Sequence, residues 1–201
     1  MRDGTAGRAG GAGAARRWAA GAAAVGMLVS CALGAAEVGG VRLADRATVG
    51  GQDLVLNGAG VRTRAIFKVY VGSLYLPARA TSTSAVLASV PRRVQLDLLR
   101  SLSADQLVDA LVDGLKDNNP AAELEAVKPQ VDELVRIMKG FGEVREGSVV
   151  TLDFADGATR IAQDGVAKGS VPGEAFNRAL MRIWVGDRPV QGDLKKAMLG
   201  G

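Results

Sequence analysis

An α+β domain, with an antiparallel sheet and helices on one of its faces, is the fold class this sequence predicts. Three observations predict it. The elements run in the order strands, helices, a strand hairpin, then helices again, which favours a sheet with a segregated helical layer over a βαβ alternation. Residues 66–76 are dense in β-branched and aromatic side chains, interrupted clearly only by Lys68 and Ser73, as in a strand packed on both faces. Two later segments carry apolar residues at helical spacing on one side only.

Each element has its local reason. Residues 38–56 read as short strands broken at Gly39-Gly40, Asp45-Arg46 and Gly50-Gly51, with Val41/Leu43 and Leu54/Leu56 alternating as half-buried strands do. Asn57-Gly58 and Gly60 read as a turn or bend, since glycine supplies backbone angles other residues resist. The strand over 66–76 stops at Pro77. Residues 82–89 form a short helix under a Ser/Thr cap, ended by Pro91, and 93–100 alternates Val94, Leu96 and Leu98 against Arg93, Gln95 and Asp97. Ser103 and Gln106 make a capping box before Leu107, Leu111 and Leu115, the buried stripe of a helix that Asn118-Asn119-Pro120 breaks. Pro129 opens a second helix with Val131, Leu134, Val135 and Met138 on one face, closed by Gly140. Strands over 148–154 and 159–163 flank the turn Asp156-Gly157. Pro172 marks a helix start, Phe176, Ala179, Leu180 and Ile183 give that helix its apolar face, and a last helix spans 193–199.

Residues 1–36 read as a leader rather than folded protein. Arg2, Arg8, Arg16 and Arg17 precede a short apolar run that ends in small residues, the pattern of a secretory signal peptide cut near Ala36-Glu37. The mature domain is then 37–201, exported and periplasmic. Leu28-Val29-Ser30-Cys31 resembles a lipobox, in which Cys31 would carry a lipid anchor; cysteine is also an ordinary small apolar residue in such runs. The leader holds +3 of the chain's net +4, so the mature domain carries only +1 and a nucleic-acid partner is not expected. No other segment is long and apolar enough to span a bilayer. The chain has no histidine and one cysteine. If Cys31 leaves with the leader, disulfides, thiol nucleophiles, Ser-His-Asp triads and the usual zinc sites are excluded.

Residues 56–77, LNGAGVRTRAIFKVYVGSLYLP, and 183–200, IWVGDRPV through LKKAMLG, together resemble the chalcone isomerase-like family, and in particular its bacterial exported branch. The resemblance covers essentially 38–200. It implies an open-faced β-sandwich: a large antiparallel sheet, a layer of helices against one face, and a ligand cleft between them. It also implies no metal and no cofactor. The family includes isomerases that close chalcones to flavanones and relatives that bind fatty acids. By this resemblance Arg62 matches the cleft arginine. Tyr70 stands where the enzymes place a threonine. Leu107, Ala110 and Gly114 stand where they place a tyrosine, a lysine and an asparagine, and Ile183 where they place a small hydroxyl residue.

Losing those hydroxyl, ammonium and amide groups removes the means of ordering water and moving protons, and leaves a more apolar cleft. The expectation is a non-catalytic protein that binds a small amphipathic anion, such as a fatty acid, with Arg62 on its carboxylate and Tyr70 as a second donor. An isomerase of altered substrate and an envelope structural or partner-binding module are the alternatives. Each residue also has a plainer reading. Arg62 could pair with an acid, Arg100 could be a solvated strand-end charge, and Trp184 is read as packing.

Overall fold

Seven antiparallel strands organise residues 36–201, the part of the chain that this computed structural model describes. Residues 1–35, which hold nearly all of the expected leader and Cys31, lie outside the described residues. Strands β1 (Ala36–Val38) and β2 (Val41–Leu43) make a small hairpin turned by Gly39-Gly40. Cleavage between Ala36 and Glu37 would remove only the first residue of β1. Strands β3 (Arg46–Val49) and β4 (Gln52–Arg64) meet at Gly50-Gly51, whose φ angles of 57° and 77° suit a tight hairpin. Then come β5 (Phe67–Leu76), α1 (Thr83–Ala88), β6 (Arg92–Leu98) and the two-residue β7 (Leu102–Ser103). The central helices are α2 (Ala104–Asn118), α3 (Ala121–Ala126) and α4 (Lys128–Lys139), followed by β8 (Glu143–Val144), which pairs with β7. Strands β9 (Val149–Ala155), β10 (Ala158–Gln163) and β11 (Val166–Pro172) precede α5 (Glu174–Val185) and α6 (Gly192–Met198). The large sheet has the order β11-β10-β9-β6-β5-β4-β3.

The α+β class expected from the sequence holds. One face of the sheet, with Leu74, Leu96, Leu152 and Ile161, shares a continuous core with Leu111, Leu134 and Leu180 of the helices. On the opposite face a small apolar cluster forms, Val49, Leu54, Tyr75 and Ala155, beside the bidentate pair of Arg93 and Asp153 across β6 and β9. The capping box is present: Ser103 Oγ accepts from Gln106 N–H at 3.1 Å and Gln106 Oε1 accepts from Ser103 N–H at 3.0 Å. Asp156 and Gly157 turn the β9–β10 hairpin with φ angles of 53° and 72°.

Four expectations need correcting. Asn57, Gly58 and Gly60 do not form a turn, because β4 runs through them. The register shifts between Leu56 and Gly58, and buried Asn57 donates to Ala80 O at 2.9 Å and Met198 O at 2.7 Å while accepting from Ala80 N–H at 2.7 Å. It thus pins both the loop after β5 and the end of α6. The two glycines form a trough for α6: a Cβ at Gly58 would lie 2.1 Å from Ala197 O, and one at Gly60 would lie 2.8 Å from Ala197 Cβ. Second, Ile66 belongs to a tight turn and is 86% exposed; β5 is fully buried only from Val71 onward. Third, Pro172 ends β11 instead of opening a helix, and β11 itself is an edge strand whose exposed VAKGS run gives no clear alternation. Fourth, the break after α2 holds a further short helix, α3.

Candidate functional site

Between the sheet and α2 lies a cavity of about 940 Å³. All six residues singled out in the sequence line it: Arg62, Tyr70, Leu107, Ala110, Gly114 and Ile183. Its inner wall is apolar, built by Leu96, Val150, Leu152 and Ile161 of the sheet with Leu111 and Met138 of the helices.

Arg62 and Tyr70 are direct cross-strand partners on β4 and β5, and Tyr70 pairs in turn with Leu98. Partners opposite each other in a sheet project from the same face, so this register brings the guanidinium and the phenol together. No carboxylate pairs with Arg62 among the described residues, which removes its plainer reading as half of an ion pair. Its Nη1 donates to Thr63 O and to Gln191 Oε1, the latter at 3.3 Å. Nε and Nη2 make no hydrogen bond among the described residues, so part of the fork stays available.

Gln191 explains how Arg62 is held. Strand β3 covers only Gln52–Val55 of β4, so Val61 and Thr63 have no ladder partner from it. The Gln191 amide fills that place, accepting from Thr63 N–H at 2.8 Å and donating to Val61 O at 3.3 Å. It stands at the N-cap of α6 yet makes no capping bond, because its side chain is spent on β4. Nothing in the local sequence pattern distinguishes it from a plain helix-start residue.

Tyr70 is held from the other side. Trp184 Nε1 donates to Tyr70 Oη at 3.0 Å, and Tyr70 donates to no protein group among the described residues. Burial, the largest influence, raises the Tyr70 pKa, against weaker opposing effects of the Trp184 hydrogen bond and the Arg62 charge. The residue is therefore a neutral phenol with a proton to offer. Trp184, read from the sequence as packing, is buried as expected and also lines the cavity and orients this hydroxyl.

The α2 wall carries no acid–base group at Leu107, Ala110 or Gly114. Ile183 and Gly114 fit each other, since a Cβ at Gly114 would lie 2.9 Å from Ile183 Cγ2. Leu107 and Ile183 are buried, whereas Ala110 is exposed at the rim. Cationic Arg64, Arg100, Lys116 and Arg188 and acidic Asp109, Asp113 and Asp117 also border the cavity. Arg100, expected to be a solvated charge, is exposed and has its guanidinium 5.0 Å from the Phe67 ring centroid. No cluster of side chains suited to a metal ion occurs among the described residues.

The family described as chalcone isomerase-like matches residues 35–200. Among curated proteins, none matches the sequence. Among solved structures, the fold is similar to that of a fatty-acid binding protein from Arabidopsis thaliana, with a TM-score of 0.62 over 80% of this chain and 92% of that one. The two are 14% identical, so the likeness carries the fold alone.

Proposed function

The chain belongs to the chalcone isomerase-like family, and we propose that it is a non-catalytic member that binds an amphipathic anion, such as a fatty acid. The observation that carries this reading is a cavity with an apolar inner wall in which a half-buried guanidinium that no carboxylate pairs with, Arg62, stands beside a phenol whose proton is unspent. Its volume of about 940 Å³ falls within the roughly 300–1,000 Å³ of small-molecule sites. A carboxylate would take charge-assisted hydrogen bonds from Arg62 and one from Tyr70, while its chain lies along Leu96, Leu152 and Ile161. The structural relative named as a fatty-acid binding protein supports the same ligand class. Turnover is disfavoured because Leu107, Ala110 and Gly114 put no acid–base group at the matched α2 positions, and the titratable groups that α2 does bring to the cavity, Asp109, Asp113, Lys116 and Asp117, are exposed to solvent. The leader pattern adds that the protein is exported to the periplasm, either free or tethered through Cys31.

Calorimetric titration with a saturated long-chain fatty acid tests the reading. Saturable binding that Arg62→Ala weakens, with no acceleration of chalcone cyclisation over background, is the expected result. Binding that ignores Arg62→Ala, or none at all, overturns it. N-terminal sequencing of the protein recovered from its native host tests export: an intact leader overturns that part.

A further inference from the structure

The tip of the β4–β5 hairpin has an unusual surface. Arg64 and Phe67 pair across it, with Ala65 and Ile66 making the turn. Ala65 adopts φ 53°, a region that residues with a Cβ populate sparsely. Turns ordinarily carry Gly, Asn, Asp or Ser, yet here Ile66 is 86% and Phe67 55% exposed. Cations surround them: Arg64 and Lys68 flank the pair in sequence, and Arg100 stacks on the Phe67 ring. No Asp or Glu occurs between Asp53 and Asp97, so neither strand of the hairpin supplies a compensating charge near the tip. Arg64, Ala65 and Phe67 also border the cavity, alongside Arg62.

Two exposed apolar side chains alone would be unremarkable surface. Together with three cations and no carboxylate on either strand of the hairpin they match a lipid interface, where apolar groups enter the acyl boundary and cations meet anionic headgroups. A stable protein interface buries on the order of 1,200 Å² or more, far beyond what two side chains at a turn present. A bilayer sets no such requirement, because each inserted side chain contributes separately. We propose that the β4–β5 tip docks the mouth of the cavity on an anionic lipid bilayer, with Ile66 and Phe67 entering the headgroup boundary and Arg64, Lys68 and Arg100 meeting lipid phosphates. The proposal stands on the tip and not on what fills the cavity, so it can fail while ligand binding holds, and the reverse.

The test uses the full chain with Cys31→Ser and an environment-sensitive fluorophore on Ile66→Cys. Vesicles of mixed phosphatidylcholine and phosphatidylglycerol are expected to shift its emission to the blue, reversibly with salt. Phosphatidylcholine alone is expected not to, and nor is the same label on Val166→Cys, which is exposed on β11. Ile66→Asp and Lys68→Glu, neither of which lines the cavity, are each expected to lower vesicle partitioning about tenfold. Their thermal unfolding should match the parent's, since both side chains lie on the surface. An absent shift at position 66, an equal shift at 166, or partitioning unchanged by both substitutions overturns the proposal. So does a lipid-free dimer that Ile66→Asp dissociates, which would assign the tip to a second copy of the chain.

Discussion

Two arginines on the helix-facing side of the same sheet have opposite fates. Arg62 lies in the cross-strand row Arg62–Tyr70–Leu98, and Arg92 in the row Arg92–Phe154–Thr159, at the other end of β6. Arg92 is fully buried, with its guanidinium 4.6 Å from the Phe154 ring centroid. Its Nε donates to Asn177 Oδ1 at 2.7 Å, and Nη1 donates to Leu87 O at 3.0 Å and Ser89 O at 2.7 Å, closing the C-terminal end of α1. Asn177 is fixed in turn by donating to Thr159 Oγ1 at 2.9 Å. Burial pushes the Arg92 pKa down to about 10, still charged at neutral pH. Arg62 is half-buried, held chiefly by one glutamine, and borders a cavity. The residue type is the same. What differs is whether the unspent donors face protein or open space, and that separates a structural arginine from the one proposed to hold a ligand.

The largest effect should come from breaking the structural row. Arg92→Met leaves Asn177 Oδ1 and two carbonyls without their donor, and unsatisfied buried groups cost about 1–3 kcal/mol each. Part of that is offset by relief of a buried charge. We expect a net loss of about 2–4 kcal/mol in denaturant unfolding, with fatty-acid affinity kept under native conditions. Arg62→Ala should do the reverse. A charged hydrogen bond is worth about 1.5–3 kcal/mol, so fatty-acid affinity should fall by roughly ten- to a hundredfold while stability stays within about 1 kcal/mol. If Arg62→Ala unfolds the protein as readily as Arg92→Met, the distinction between the two rows collapses.

Gln191→Ala sharpens the comparison by removing the support and leaving the charge. Thr63 N–H loses its acceptor and Arg62 Nη1 loses one of two. The expected result is a weaker effect than Arg62→Ala on both counts, about 1 kcal/mol in stability and a few-fold to tenfold in affinity. Calorimetry on the single and double variants would resolve the coupling. Independent, additive losses would mean that Gln191 does not act through Arg62.

Much of this was legible in the sequence, for physical reasons. The capping box, the Asp156-Gly157 turn and the α5 face are local signals, and all three recur in the structure. Leu107, Ala110, Gly114 and Ile183 are reached only through the family resemblance, since they have no chemistry of their own to announce a site. Non-local features were not legible. Glycines that admit α6 look like turn glycines, because small size and conformational freedom leave the same letter. Gln191 and Trp184 act on groups more than 110 positions away in the chain. Arg92 stood beside Arg93 as one more basic residue. Only β6 pairing sends Arg92 inward, to Asn177, and Arg93 outward, to Asp153.

The opposite face of the sheet holds the smallest predicted effect and a third kind of charge. Asp97 is nearly buried there, 8% exposed, and accepts from Gln95 Nε2 at 3.0 and 3.3 Å. Burial raises its carboxyl above the ordinary 3.8, outweighing the Gln95 hydrogen bond, which acts to lower it. A folded-state value above the unfolded one means that the native state holds the proton more tightly. The stability this contributes is full below pH 3.8 and is lost as pH rises through the folded value. Asp97→Asn keeps the shape and removes the titration. Its unfolding midpoint should match the parent's near pH 3 and lie above it at pH 7, the gap opening just above pH 3.8. Parallel pH profiles would show that water reaches Asp97 well enough to leave it an ordinary surface carboxylate. Unlike Arg92, this carboxyl can avoid much of the cost of burial by taking up a proton within the accessible pH range, which makes its contribution smaller and dependent on pH.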